Sequence, residues 1–363
     1  MNPLARRTLL RGAALSAMGL PLAAMAPVVL RSRTTTFDPL ATELLANSQI
    51  CRVADERAFN AVASGAVPRK LKLAWNANAI CTVGVPVAAR RGIFKQHGLD
   101  VEPINFGGST DELLEAIATG KADAGVGMAL RWLKPLEQGF DVRITTAIHG
   151  GCIRLFAQKG AGIAAIADLK GKTIGCSDLA APDKNFFSIV AAKQGIDPNT
   201  DIEWRAYPAD LLGVALKKGE IQAVSLGDPL GWILRERDDL LEIANNLQGE
   251  YAQRACCVLG VRGSLIKEDR PAAAALTASL LEAQEWVAMN PDAAAAIFAP
   301  YSPAKPEQLA AMLRSHTHHH HPAGAALTAE IALYAQELKE VQVLKPRTDP
   351  RRFAERVTAD VLA

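Results

Sequence analysis

From Lys70 onward, short apolar runs alternate with segments of helical period, and this alternation limits the fold more than any other feature of the chain. Residues 71–75, 100–104 and 122–126 read as strands, with helices predicted over 85–97 and 110–119. The same grammar returns at 173–175, 202–206 and 223–226, with helices predicted over 182–194 and 209–218. Strands that alternate with helices of roughly 10–15 residues build βαβ units and a parallel sheet. The class is α/β. After Gly260 the text becomes helical and alanine-rich, over 271–289, 291–298, 306–314, 328–341 and 353–362. Pro271 and Pro306 there fit first-turn positions, where no amide hydrogen is needed.

Two passages, 113–126 and 212–225, can be laid over each other at an offset of 99. In each, an amphipathic helix stops at a glycine (Gly120, Gly219), a polar turn follows (with Asp123 or Gln222), and a buried strand begins. Two similar lobes would produce this pattern. Any two αβ joints would also resemble each other, because glycine is the common helix stop.

The first 26 residues carry Arg6, Arg7 and Arg11, no acidic residue, and a run of small apolar residues that closes on Ala24-Met25-Ala26. A charged start, an apolar stretch and a small-residue cleavage site make an export signal. Paired arginines followed by Thr8-Leu9-Leu10 are similar to the twin-arginine type. The expected address is the periplasm. An uncleaved anchor is the alternative, since apolar character continues to Leu30, although Pro21 and Pro27 interrupt it. Residues 27–69 form a lead-in with one helix expected over 39–64, and no later segment is long and apolar enough to span a bilayer. The formal net charge is +2 and becomes −1 without the three arginines. With 5% aromatic residues as well, the chain offers nucleic acid neither an electrostatic footprint nor stacking platforms. Six cysteines are too few for a disulfide scaffold at this length.

Four phrases then occur in order: RRGIFKQHGLDVE from Arg90, GGSTDELLEAIATGKADAG from Gly107, DLKGKTIG from Asp168 and GDPLGW from Gly227. Together they resemble the extracytoplasmic solute-binding proteins of the nitrate, sulfonate, taurine and thiamine-precursor family, over about residues 70–345. The resemblance implies a two-lobed type II periplasmic binding fold, each lobe a mainly parallel sheet flanked by helices. Lobe one would hold 70–148 and 255–345, lobe two 149–254, and a C-terminal helix 346–363. The chain would cross the hinge near His149-Gly150-Gly151 and again near Ala255. Such proteins are not enzymes. They close over a small-molecule ligand and pass it to an ABC transporter permease in the inner membrane. The expectation is a monomer with no resident cofactor, a metal ion being left open.

In an open parallel sheet, ligands sit beyond the carboxyl ends of the strands. That rule selects Asn76, Asn78, Cys81 and Thr82 after the first strand, Gly108, Ser109 and Thr110 after the second, and Met128 after the third. Ser109 with Glu112 also reads as a capping box. In lobe two it selects Cys176, Ser177, Asp178 and Asp183, then Asp228 and Trp232, with His149 at the hinge. Asp228 before Pro229 reads equally well as a helix cap. Lobe one shows no Arg or Lys at its strand ends, which weakens an oxyanion ligand. Cys81, Cys152 and Cys176, with His149, would suit a soft metal such as Cu(I), or zinc, and equally well small buried hydrophobes. His316, His318, His319, His320 and His321 form a run between two helices that would chelate a divalent metal, make an exposed turn, or set its side chains against the lobe or ligand. Two alternatives to a solute carrier therefore remain: a Cu, Zn or Ni-binding periplasmic protein on the same fold, or an enzyme resembling pyrimidine-precursor synthases.

Overall fold

A computed structural model describes residues 67–106 and 110–363. The signal-like segment, the lead-in helix and the turn Gly107-Gly108-Ser109 lie outside the described residues, together with the expectations placed on them. Ten strands follow in order: β1 (Arg69–Trp75), β2 (Leu99–Asn105), β3 (Ala124–Met128), β4 (Val142–His149), β5 (Ile153–Ala157), β6 (Lys172–Cys176), β7 (Ile202–Ala206), β8 (Ala223–Gly227), β9 (Leu241–Asn245) and β10 (Cys257–Arg262). They form two five-stranded sheets, ordered β2-β1-β3-β10-β4 and β7-β6-β8-β5-β9. In each sheet one strand opposes the rest: β10 is antiparallel to β3 and β4, and β5 to β8 and β9. These two are the strands that arrive from the other sheet. The architecture is a two-lobed α/β fold.

The helices are α1 (Gly84–Arg91), α2 (Ile93–Gln96), α3 (Thr110–Ala118), α4 (Ala129–Glu137), α5 (Pro182–Lys193), α6 (Leu212–Lys217), α7 (Leu230–Asp238), α8 (Gly263–Glu268), α9 (Arg270–Met289), α10 (Pro291–Phe298), α11 (Pro306–Ser315), α12 (Gly324–Glu340) and α13 (Pro350–Val357). The single helix expected over 85–97 is two, because Gly92 takes a left-handed conformation (φ 74°) that ends α1. The last helix begins earlier and ends sooner than expected. Pro350 occupies its first turn, and the Asp349 carboxylate accepts the Arg352 amide at 2.9 Å, fixing the start.

The two lobes share their αβ joint in detail. Asp123 N–H donates to Lys72 O at 2.8 Å, and Lys72 N–H returns a bond to Asp123 Oδ2 at 2.8 Å. At the offset of 99, Gln222 N–H donates to Thr173 O at 2.8 Å and Thr173 N–H returns a bond to Gln222 Oε1 at 2.9 Å. In each case the turn side chain satisfies a strand amide that would otherwise lack a partner at the sheet end.

The chain passes from β4 to β5 through Gly150–Cys152 and from β9 to β10 through 246–256. These crossings touch: Ile153 N–H donates to Asn246 Oδ1 at 2.8 Å, and Cys256 N–H to His149 O at 3.0 Å. A Cβ on Gly151 would stand 2.4 Å from Asn246 O, so only glycine admits this approach. Leu73, Trp132, Phe186, Phe187 and Phe298 are fully buried in the core that supports the crossings. Burial of each side chain of this kind contributes roughly 1.5–3 kcal/mol.

Candidate functional site at the hinge

The strand ends of both lobes converge on the crossings. After β1 the chain makes a tight loop: Asn76 Oδ1 accepts the Asn78 amide at 2.8 Å, and the Thr82 hydroxyl donates to Asn76 O and Ala79 O at 2.9 and 2.8 Å. Thr82 therefore shapes the loop, and Asn78 is exposed. This loop presents Ile80 N–H to Asp228 O of the other lobe at 3.4 Å and buries Cys81 completely. Met128, half-buried, precedes α4. Thr110 opens α3.

Four sulfurs gather here. Cys257 Sγ lies 3.0 Å from Cys81 Sγ, and Cys152 Sγ lies 3.9 Å from Cys256 Sγ. All four thiols are unbridged and buried. Hydrogen bonds from Cys152 and Cys257 pull the Cys81 thiol down to about 6 against the opposing effect of burial, while the two donors are pushed well up. Cys176, grouped with Cys81 and Cys152 on sequence grounds, does not join them. Its Sγ contacts Arg205 O at 3.8 Å, and burial pushes it up to about 12. Cys256 and Cys257 complete the group instead.

The histidine run is folded inward against the same crossings, so of the readings left open its side chains contact the lobes and do not form an exposed turn. Gly151 N–H donates to Thr317 Oγ1 at 2.9 Å, and only His319 of the five is exposed. His316 is buried and donates from Nε2 to Asp228 Oδ2 at 2.9 Å. His318 hydrogen-bonds Leu313 O, and His320 pairs with Glu330 at 2.7 Å. Burial holds His318 and His321 down to about 4. His149, fully buried, donates from Nδ1 to Gly150 O at 2.8 Å. Burial first, then His316 and His318, drives it well below its ordinary value, so the ring is neutral. His149 Nε2 and His316 Nδ1 find no hydrogen-bond partner among the described residues.

On the lobe-two side the chemistry is ionic. Arg154, 4% exposed, donates from Nε to Asp228 at 2.9 Å, from Nη1 to Glu242 at 3.0 Å and from Nη2 to Ser315 Oγ at 3.1 Å. Asp228 also accepts the Trp232 amide at 3.1 Å, so its helix-start role and its pairing role coexist. Burial would raise its pKa, but His316 and Arg154 outweigh that and lower it. Trp232 lies with its ring against the guanidinium groups of Arg154 and Arg235, at 5.2 and 4.3 Å. Asp183, fully buried, accepts Ser225 Oγ–H at 2.6 Å, and burial lifts it to about 6. Ser177 is exposed.

Two arginines escaped the sequence reading. Arg131, three residues beyond β3 on the inner face of α4, reaches across to both oxygens of Asp178, at 3.2 and 3.1 Å. This corrects the view that lobe one has no cation near its strand ends, and it gives Asp178 a partner in the other lobe. Asn185 Nδ2 crosses the same gap to Leu130 O at 3.1 Å. A cavity of about 390 Å³ opens beside these contacts, lined in part by Arg131, Lys134, Leu179, Lys184 and Asn185. Arg154 was hidden inside the strand Ile153-Arg154-Leu155-Phe156-Ala157, where a single cation in an apolar run was the available signal. Among the described residues, no three His, Cys, Asp or Glu side chains surround one point closely enough to enclose an ion as they stand.

Two αβ lobes, joined by paired crossings and meeting over buried strand ends, define the periplasmic binding protein architecture. The chain belongs to the NMT1/THI5-like family, whose model matches residues 81–294. It is 25% identical over 236 residues to the bicarbonate-binding protein CmpA of Synechococcus elongatus, covering 55% of this chain and 50% of that one. It thus spans about half the length of the curated relatives it matches. Its fold is similar to that of the periplasmic aliphatic sulphonate-binding protein SsuA of Escherichia coli, with TM-score 0.68 and 16% identity over 81% of this chain and 93% of the other. The periplasmic nitrate-binding protein NrtA of Synechocystis PCC 6803 gives TM-score 0.66 and 15% identity over 81% and 87%. No helix among the described residues is long and apolar enough to cross a membrane.

Proposed function

We propose that this protein is the solute-binding component of an ABC importer, capturing a small polar solute between its lobes outside the inner membrane and handing it unchanged to a permease. The observation that carries this reading is the hinge itself. The crossings, one tight (Gly150–Cys152) and one longer (246–256), are mutually hydrogen-bonded, and the lobes they join also touch through Arg131 with Asp178, Asn185 with Leu130 O, and Gln308 with Glu236 at 2.7 Å. Of these only Arg131 with Asp178 is an ion pair, its carboxylate half exposed, while His316 with Asp228 and Arg154 with Ser315 also tie lobe to lobe in buried surroundings, so opening must exchange these contacts for solvent. Export by the twin-arginine route, with the protein working as a monomer, is part of the same proposal. So is its standing as a carrier and not an enzyme.

The family relationship supports a carrier, and the relatives named for bicarbonate, sulphonate and nitrate supply the first panel of solutes. Thermal-shift titration with these solutes, paired with small-angle scattering, tests the reading. A true ligand at 100 times its Kd adds about 2.7 kcal/mol of stability and makes the particle more compact. Recovery of the ligand chemically altered would show a catalyst and end the proposal.

A further inference from the structure

Against lobe one, α13 and the loop before it form a basic cavity that the carrier reading does not use. It has a volume of about 410 Å³ and is lined by Lys345, Arg347, Arg352 and Arg356, with two carboxylates, Glu137 and Asp349, in the same wall. All four cations are exposed, and among the described residues none of them makes an ion pair. Both carboxylates are already spent. Glu137, at the end of α4, accepts the Lys345 amide at 2.8 Å, the Thr348 hydroxyl, and Lys134 Nζ at 3.0 Å. Burial opposes its charge, but these bonds outweigh burial and hold the carboxyl below its ordinary range. Asp349 accepts the Arg352 amide at 2.9 Å, which holds it low as well. The frame that carries the cations is braced. Arg352 and Arg356 stand four residues apart, on one side of α13, while Phe353, Ala354 and Val357 are buried. Beyond the helix, Ala359 N–H donates to Ile144 O at 2.9 Å, and before it Lys339 Nζ donates to Thr348 O at 3.2 Å.

From this arrangement we infer that the cavity is a binding site for a phosphate group, carried by a free phosphate compound or by the headgroup of an anionic lipid. A guanidinium presents a planar fork of donors that matches phosphate oxygens two at a time, and it stays charged at every pH the protein meets. Three such forks and an ammonium around one cavity offer more donors than the two oxygens of a carboxylate can take up. They suit a tetrahedral head with three or more oxygens. Cations gathered without counter-charges also repel one another, and a multivalent anion offsets that repulsion. The site is separate from the gap between the lobes. Arg131, which faces Asp178 across that gap, begins α4, and Glu137 ends it, roughly 9 Å further along the helix axis. The cavity is built without lobe two, so it stands or falls independently of the carrier reading.

The test uses the full chain in phosphate-free buffer at fixed ionic strength. Inorganic pyrophosphate is titrated by calorimetry, and vesicles of phosphatidylcholine with or without phosphatidylglycerol are floated with the protein. One pyrophosphate per chain, or recruitment only by the vesicles that contain phosphatidylglycerol, is expected. The first result assigns the site to a free phosphate compound and the second to a lipid headgroup. Arg352→Gln with Arg356→Gln should weaken whichever binding is seen by roughly 10–100-fold, and Lys345→Gln with Arg347→Gln should act in the same direction, both with unchanged circular dichroism. Arg90→Gln with Lys267→Gln removes the same charge from exposed positions elsewhere on lobe one and should bind as the parent does. Absence of binding in both arms overturns the proposal. So does an equal loss in the Arg90 and Lys267 pair, which would assign the effect to net charge, and so does displacement of pyrophosphate by acetate at equal ionic strength.

Discussion

The two sheets share one plan down to single hydrogen bonds, yet they turn different chemistry toward each other. Where β3 gives way to α4, Ala129 N–H donates to Cys256 O at 2.9 Å; at the offset of 99, Asp228 N–H donates to Cys152 O at 2.9 Å. The cysteines of the two crossings are thus equivalents whose sulfurs meet across the hinge. At the matching strand end, however, one lobe has alanine and the other a buried aspartate that organises Arg154, His316 and Trp232. Backbone groups at a strand end must find partners whatever the sequence, which preserves the joint. The one side chain free to vary there decides whether the edge is soft and neutral or ionic.

Making the second lobe resemble the first is the most damaging way to break this comparison. Asp228→Ala leaves Arg154 buried with only Glu242 opposite, and should cost about 3–5 kcal/mol in urea unfolding. A shift under 1 kcal/mol would mean that the ionic edge is dispensable. Next in size is the pH response of Asp183. Its folded pKa of about 6 stands above its ordinary 3.8, so the folded state binds more protons between those values, and stability falls as pH rises from about 4 to 6. Asp183→Asn, which still accepts from Ser225, should flatten that slope and raise stability at pH 8 by roughly 1–3 kcal/mol. A slope unchanged in the variant would assign it elsewhere. The smallest effect sharpens the likeness. Gln222→Asp copies the turn of lobe one and should change stability by less than about 0.5 kcal/mol, whereas Asp123→Gln also loses the Arg262 pair at 3.0 Å and should cost about 0.5–1 kcal/mol. Equal losses in both would undo the equivalence of the joints.

The fold was legible where periodicity carries it. The strands β1, β2, β3, β6, β7 and β8 and the offset of 99 follow from local pattern, because each joint needs a helix stop, a polar turn and an apolar run. β4 and β10 are largely buried on both faces, so neither shows the apolar–polar alternation that marks a half-exposed strand. At the site, the strand-end rule pointed to Cys81, His149 and Asp228, and all three lie at the hinge centre. It failed for Arg131, which an αβ joint places one helical turn past the strand, and for the inward fold of His316, which depends on Thr317 meeting Gly151 across 166 residues. No local pattern encodes a contact of that range.

The insertion of β10 between β3 and β4 bears on the order in which the molecule takes shape during synthesis. All five strands of the second sheet lie within residues 153–245, whereas the first sheet lacks its inner member until residue 262 has left the ribosome. The half written second can therefore finish first, inverting the usual N-terminal precedence of domains. A stalled nascent chain ending before Cys257 should accordingly show slow hydrogen exchange in β5–β9 and fast exchange in β1–β4.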